Sequence, residues 1–82
     1  MSKEELLTLV ISQTCEVLPE LAGHSFQSSD RLADLGANSL DRAEIVMMVM
    51  EALSLQIPRV ELFGARNIGE LVDVLHSKLE SV

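Results

Sequence analysis

The sequence predicts an all-α domain, and three observations carry that prediction. Apolar residues make up 48% of the chain, yet only Phe26 and Phe63 are aromatic, so Leu, Val, Ile and Met must fill the core. In three stretches these residues recur at spacings of three and four, the period of a helix buried along one face. Capping signals stand at Ser2 and Asn67, where the first and last of those stretches begin. With 82 residues, one domain spanning 1–82 is expected. A chain this small buries only about 60% of its unfolded surface, so the core has to be compact.

The first helix is predicted over 3–18, with Leu6, Leu7, Val10, Ile11, Thr14, Val17 and Leu18 on its apolar face. Ser2 caps it, Glu5 lies three residues on as in a capping box, and Pro19 ends it. Residues 19–37 read as a long connection, because Gly23, Ser25, Ser28, Ser29 and Asp30 break any period. Leu21, Phe26, Leu32 and Leu35 are expected to pin it across the helix ends, with a short helical turn near 30–34. The second helix covers 39–53. A short helical turn over 59–64 follows Pro58, a residue suited to a first helical turn. The last helix covers 68–80, with Asn67 as N-cap, Glu70 at the capping-box position and a stripe of Ile68, Leu71, Val72, Leu75 and Leu79.

Six basic residues oppose thirteen acidic ones, for a net charge of −7. Such a surface repels nucleic acid and anionic membranes and favours partners with basic patches. No Tyr or Trp is present for base stacking. The single cysteine, Cys15, cannot form an internal disulfide. Met1–Glu5 followed by an amphipathic pattern is not expected to act as a secretory leader, and the sequence has no run of the ~20 apolar residues needed to span a bilayer. A soluble, cytoplasmic, monomeric protein is expected.

The second helix has more apolar surface than a small bundle can bury. Leu40 to Leu53 holds ten apolar residues in fourteen. At ~100° per residue, Ile45, Val46, Val49 and Leu53 fall together as a core face. Leu40, Glu44, Met47 and Glu51 fall opposite, with Met48 and Met50 on the flanks. Exposed apolar groups framed by carboxylates suggest a docking strip, and methionine suits surfaces that meet several partners. Asp41, Glu44 and Glu51 would steer basic partners.

A glycine turn at Gly36 delivers Ser39 to the start of that helix, where free N–H groups and the helix dipole favour phosphate. Asp34-Leu35-Gly36-Ala37-Asn38-Ser39-Leu40 resembles the attachment motif of acyl carrier proteins. Glu44-Ile45-Val46, Ile57-Pro58, Leu62-Phe63 and Asn67-Ile68-Gly69-Glu70-Leu71 extend the likeness, in order, over nearly the whole chain. The resemblance implies a four-helix bundle with a short third helix and a long loop between helices 1 and 2. It implies that a phosphopantetheinyl transferase moves 4′-phosphopantetheine from coenzyme A to Ser39, and that the protein carries thioesters without being an enzyme. Asn38 stands where the family has Asp. It retains capping ability but lacks the charge.

The Asn-Ser pair, Asp41-Arg42-Ala43-Glu44 and the chain length also resemble a narrower group, the discrete carriers of polyketide β-branching cassettes. That likeness implies an acetyl donor served by an acyltransferase and a decarboxylating ketosynthase, and used by an enzyme similar to HMG-CoA synthase. Asn38, Leu40, Asp41, Arg42, Glu44, Met47, Met48 and Glu51 are the candidate docking residues, with Arg42 and the methionines selecting the synthase. Alternatives are a fatty-acid or aminoacyl carrier or, in a different class, a helical adaptor binding through Leu40–Glu51.

Other readings of these residues are weaker. Ser39 as a plain N-cap accounts for the serine but not for the pattern around it. A hydrolase would need a Gly-x-Ser-x-Gly turn and a base, and neither His24 nor His76 lies in such a motif. A calcium loop over Asp30–Asp41 fails because Leu32 takes position 3 and the glycine falls at position 7. One cysteine and two distant histidines do not suggest a metal site. Arg59, Arg66 and Lys78 are read as solvated surface.

Overall fold

The structure is a computed structural model that describes residues 1–56, Pro58, Leu62 and 64–80. Among them the chain forms helix α1 (Lys3–Val17), a 3₁₀ turn (Pro19–Leu21), helix α2 (Ser39–Leu53) and helix α3 (Ile68–Glu80). The described residues contain no strand. The short helix expected over 59–64 falls largely outside the described residues.

Helix α1 begins as its sequence dictates. Glu5 N–H donates to Ser2 Oγ at 3.1 Å and Ser2 N–H donates to Glu5 Oε1 at 2.9 Å, a reciprocal capping box. The helix stops at Val17, one residue before the expected end, although Leu18 N–H still closes on the Thr14 carbonyl at 2.8 Å. Pro19 then opens the 3₁₀ turn, which the sequence did not announce. Leu6, Val10 and Thr14 form the buried face. The Thr14 hydroxyl donates to the Val10 carbonyl at 2.7 Å, so its burial leaves no unsatisfied polar group.

Helix α1 is the common backing of the fold. It lies against both α2 and α3, whereas no Cα of α2 comes within 8 Å of a Cα of α3. Ile45 and Val49 from α2 and Ile68 and Leu75 from α3 meet Leu6 and Val10 in one core, each almost fully buried. Helix α2 ends at Ser54, whose φ of 55° is left-handed, and Leu55 N–H returns to the Met50 carbonyl at 2.9 Å.

The long connection between α1 and α2 holds the start of α3. Phe26 and Leu32 pack against the core, as expected of pinning residues. Successive turns follow Arg31, and Gly36 with φ +101° supplies the reversal before α2. The Asp30 carbonyl accepts from Ile68 N–H at 2.9 Å and the Ser28 carbonyl from Gly69 N–H at 2.8 Å. Donors that a helix start leaves without intrahelical partners are thus met by a distant loop. Asn67 completes the cap, its Oδ1 accepting from Glu70 N–H at 2.8 Å. The Glu70 carboxylate reaches Arg66 N–H at 3.1 Å rather than that of Asn67, so the expected capping box is shifted by one residue.

Candidate functional site

The Gly36 turn buries Ala37 and leaves Asn38 in extended backbone as the N-cap of α2. Asp41 N–H donates to Asn38 Oδ1 at 2.8 Å, and Asn38 N–H donates to Asp41 Oδ2 at 3.3 Å. Asparagine therefore does the capping, and reading Ser39 as a plain N-cap is corrected. Ser39 is the first helical residue and is exposed. Its Oγ accepts from Arg42 Nη2 at 3.4 Å and takes no part in closing the helix.

No base activates this hydroxyl among the described residues. His24 pairs with Asp30 at 3.0 Å and His76 with Glu80 at 3.3 Å. Asp30 is held below the usual carboxylate range, first by Gln27 N–H and then by His24. A serine with no base beside it is suited to being modified by another protein rather than to attacking a substrate itself.

The candidate residues on α2 separate into distinct places. Leu40 is 81% exposed and Met47 43%, and the exposed Glu44 and Glu51 lie on the same face. Met48 is half-buried on the flank. Asn38 and Asp41 are engaged in the cap. Arg42 departs from the strip: it lies about 160° around the helix from Leu40. It is half-buried and shares a cleft with Ser39.

That cleft is the gap left where α2 and α3 part. It encloses about 700 Å³ over an apolar floor that includes Val46, Ile68 and Leu71, and Ser39 stands on its rim. Arg31, Arg42 and Arg66 line it too. Among the described residues, three of the five basic ones thus gather at one opening in a protein of net charge −7. Arg66 is exposed, as expected of solvated surface, and also lines the cleft. Sequence reading missed the cluster because its members come from three separate segments. The one local signal was an arginine a helical turn after the serine.

The fold is helical, and one of its helices opens on an exposed serine free of capping duty. Residues 7–75 match the family described as phosphopantetheine attachment site. The chain belongs to this family and bears covalent 4′-phosphopantetheine. It is 56% identical over 81 residues to the polyketide biosynthesis acyl-carrier-protein AcpK of Bacillus subtilis, covering 99% of each chain. It is 37% identical over 78 residues to an acyl carrier protein of Prochlorococcus marinus, covering 95% of this chain and 98% of that one. In structure it resembles a chain from the crystal structure of the curacin biosynthetic pathway HMG synthase in complex with acetyl donor-ACP. The TM-score is 0.91 at 52% identity, over 94% of this chain and 99% of that one. Coverage of 99% of the matched chain identifies it as the small carrier of that complex.

The residues present fit the phosphopantetheine group. Ser39 Oγ is exposed and uncommitted to the cap, a helix N-terminus favours the phosphate, and a guanidinium stands beside it.

Proposed function

We propose that the chain is a discrete acyl carrier protein of polyketide assembly, modified at Ser39, and that it donates acetyl to an HMG-CoA synthase-like enzyme. The observation that carries the reading is the division of roles at the start of α2: Asn38 caps, and Ser39 is left open. Similarity to the acetyl-donor carrier and to AcpK supports the narrower role. The carrier is non-catalytic and acts as a cytoplasmic monomer of the four-helix type.

Loading is done by a phosphopantetheinyl transferase. Ser39 Oγ attacks the β-phosphorus of coenzyme A, and its proton passes to a base of the transferase. The bond from that phosphorus to the bridging pyrophosphate oxygen breaks, and 3′,5′-ADP leaves. When bound, the group supplies a thiol that holds acyl cargo as a thioester. An acyltransferase and a decarboxylating ketosynthase provide that cargo as acetyl. Leu40, Glu44, Met47 and Glu51 form the face on which the enzymes dock, with Met48 at its edge. The protein's contribution is effective concentration and presentation.

The test is intact mass after incubation with coenzyme A and a transferase. One phosphopantetheine should be gained by the wild type and none by Ser39→Ala. Failure to gain it with several competent transferases would leave an adaptor that binds through the Leu40–Glu51 strip. The donor role is tested by offering the acetyl-loaded protein to a β-branching synthase and a β-ketoacyl acceptor. Equal donation by an ordinary chain-extending carrier would remove the specialised role.

A further inference from the structure

Arg42 stands one helical turn after Ser39, and its Nη2 donates to Ser39 Oγ at 3.4 Å. No carboxylate among the described residues pairs with it, although the chain has thirteen acidic residues. A hydroxyl has one donor and two acceptor positions. The arginine takes one acceptor position of Ser39, which leaves the other for an electrophile and directs the O–H away from the guanidinium. At 3.4 Å the contact is long, so it aims the oxygen without tying it up. Arg42 lies about 160° around α2 from Leu40, so an enzyme seated on the strip leaves it open. The loading reaction itself sets an electrostatic problem. Coenzyme A presents a pyrophosphate to a protein of net charge −7, and like charges repel on that approach. A fixed cation at the point of attack opposes this repulsion locally.

We infer that Arg42 is a positioning residue for the loading reaction: it aims Ser39 Oγ at the β-phosphorus of coenzyme A and pairs with the oxygens of the phosphoryl group while that group is transferred. This rests on the proposal that Ser39 is loaded. As the bond from Oγ to phosphorus forms, the bond from phosphorus to the bridging oxygen breaks. The Ser39 proton goes to the transferase's base, and 3′,5′-ADP leaves with the electron pair of the broken bond. Negative charge is spread over the non-bridging phosphoryl oxygens throughout. The guanidinium already stands beside Oγ, and its planar fork can hold two such oxygens at once. Lysine supplies the charge only as a point. The chain thus brings part of the charge stabilisation to its own modification, while the base stays with the transferase.

The experiment uses the full apo chain, a phosphopantetheinyl transferase in excess and saturating coenzyme A, with loading followed by intact mass in a single turnover. The maximal rate constant reports the transfer step, and the transferase concentration that gives half of it reports docking. Arg42→Gln should lower the maximal rate constant about tenfold, less than a fully enclosed donor is worth because Arg42 is only half-buried. The half-saturating concentration should change by less than about threefold, since the docking strip is intact. Arg42→Lys should recover at least part of the rate. Lys3→Gln removes the same charge from α1, outside the cleft lining, and should load at the wild-type rate. A rate constant for Arg42→Gln within about twofold of wild type, or a loss confined to half-saturation, would overturn the inference. So would an Arg42→Lys rate no higher than that of Arg42→Gln, or an equal loss in Lys3→Gln, which would make net charge the cause. Should Arg42→Gln not fold by circular dichroism, Arg42→Met takes its place with the same expectation. If the wild type gains no phosphopantetheine with several competent transferases, the Ser39 reading fails and this inference with it. An unchanged rate in Arg42→Gln beside a loaded wild type sinks the inference alone.

Discussion

Gly69 donates its backbone N–H to the Ser28 carbonyl at 2.8 Å, and a Cβ built on Gly69 would stand 3.0 Å from both that oxygen and Ser28 Cβ. In most helices alanine would be the better residue by about 1 kcal/mol. Here the methyl group meets loop backbone. Gly69→Ala is therefore expected to destabilise the protein by about 1 kcal/mol in urea unfolding, opposite to the propensity trend. Exchange of the Ile68 and Gly69 amides should accelerate with it. A more stable variant would mean that the loop yields freely.

Capping and modification separate by mutation at adjacent positions. Asn38→Ala should cost about 1 kcal/mol through loss of the N-cap. Ser39→Ala should change stability by less than about 0.5 kcal/mol, yet abolish gain of the arm by mass. Asn38→Asp keeps an acceptor for Asp41 N–H and should keep both properties. A large stability loss in Ser39→Ala would show that the hydroxyl does structural work after all.

The exposed strip should behave as interface and not as core. Leu40→Ala and Glu44→Lys should leave thermal unfolding nearly unchanged and weaken binding to an HMG-CoA synthase-like partner. For Leu40 the loss should be about 1–2 kcal/mol if it is an anchor. For Glu44 it should shrink as salt rises. Isothermal titration at two ionic strengths separates these effects. Ile45→Ala, on the fully buried face, should instead cost about 2–5 kcal/mol of stability.

Acid should loosen the α1–α2 connection through Asp30. Its carboxyl is held low by Gln27 N–H and His24, so its folded pKa lies below its unfolded one. The stabilisation is then fully present above the unfolded pKa, near the ordinary value of 3.8, and is lost as pH falls through the lower folded pKa. Asp30→Asn should flatten that part of the stability profile. Glu5, lowered by its bonds to Ser2, contributes with the same sign, and Glu5→Gln serves as the control at the other end of α1.

Much of this arrangement was legible because its causes are local. Apolar spacing gave α2 and α3 with their observed bounds, and Ser2 with Glu5 placed the start of α1. The exposed face of α2 followed from counting apolar residues against what a small core holds. Contacts between segments were hidden. Backbone carbonyls of Ser28 and Asp30 leave no trace of their partners in residue identity. Arg42 was grouped with its sequence neighbours on the strip, although the helical step carries it to the far side. Arg31 and Arg66 join it only once α2 and α3 are seen to part.

Closing α2 with an asparagine amide rather than the serine hydroxyl has a consequence for the molecule once loaded. With a group attached at Ser39, as proposed, the Asn38–Asp41 box needs no rebuilding, because neither of its hydrogen bonds uses the serine hydroxyl. The cap then contributes the same stability to a bare and to a loaded molecule.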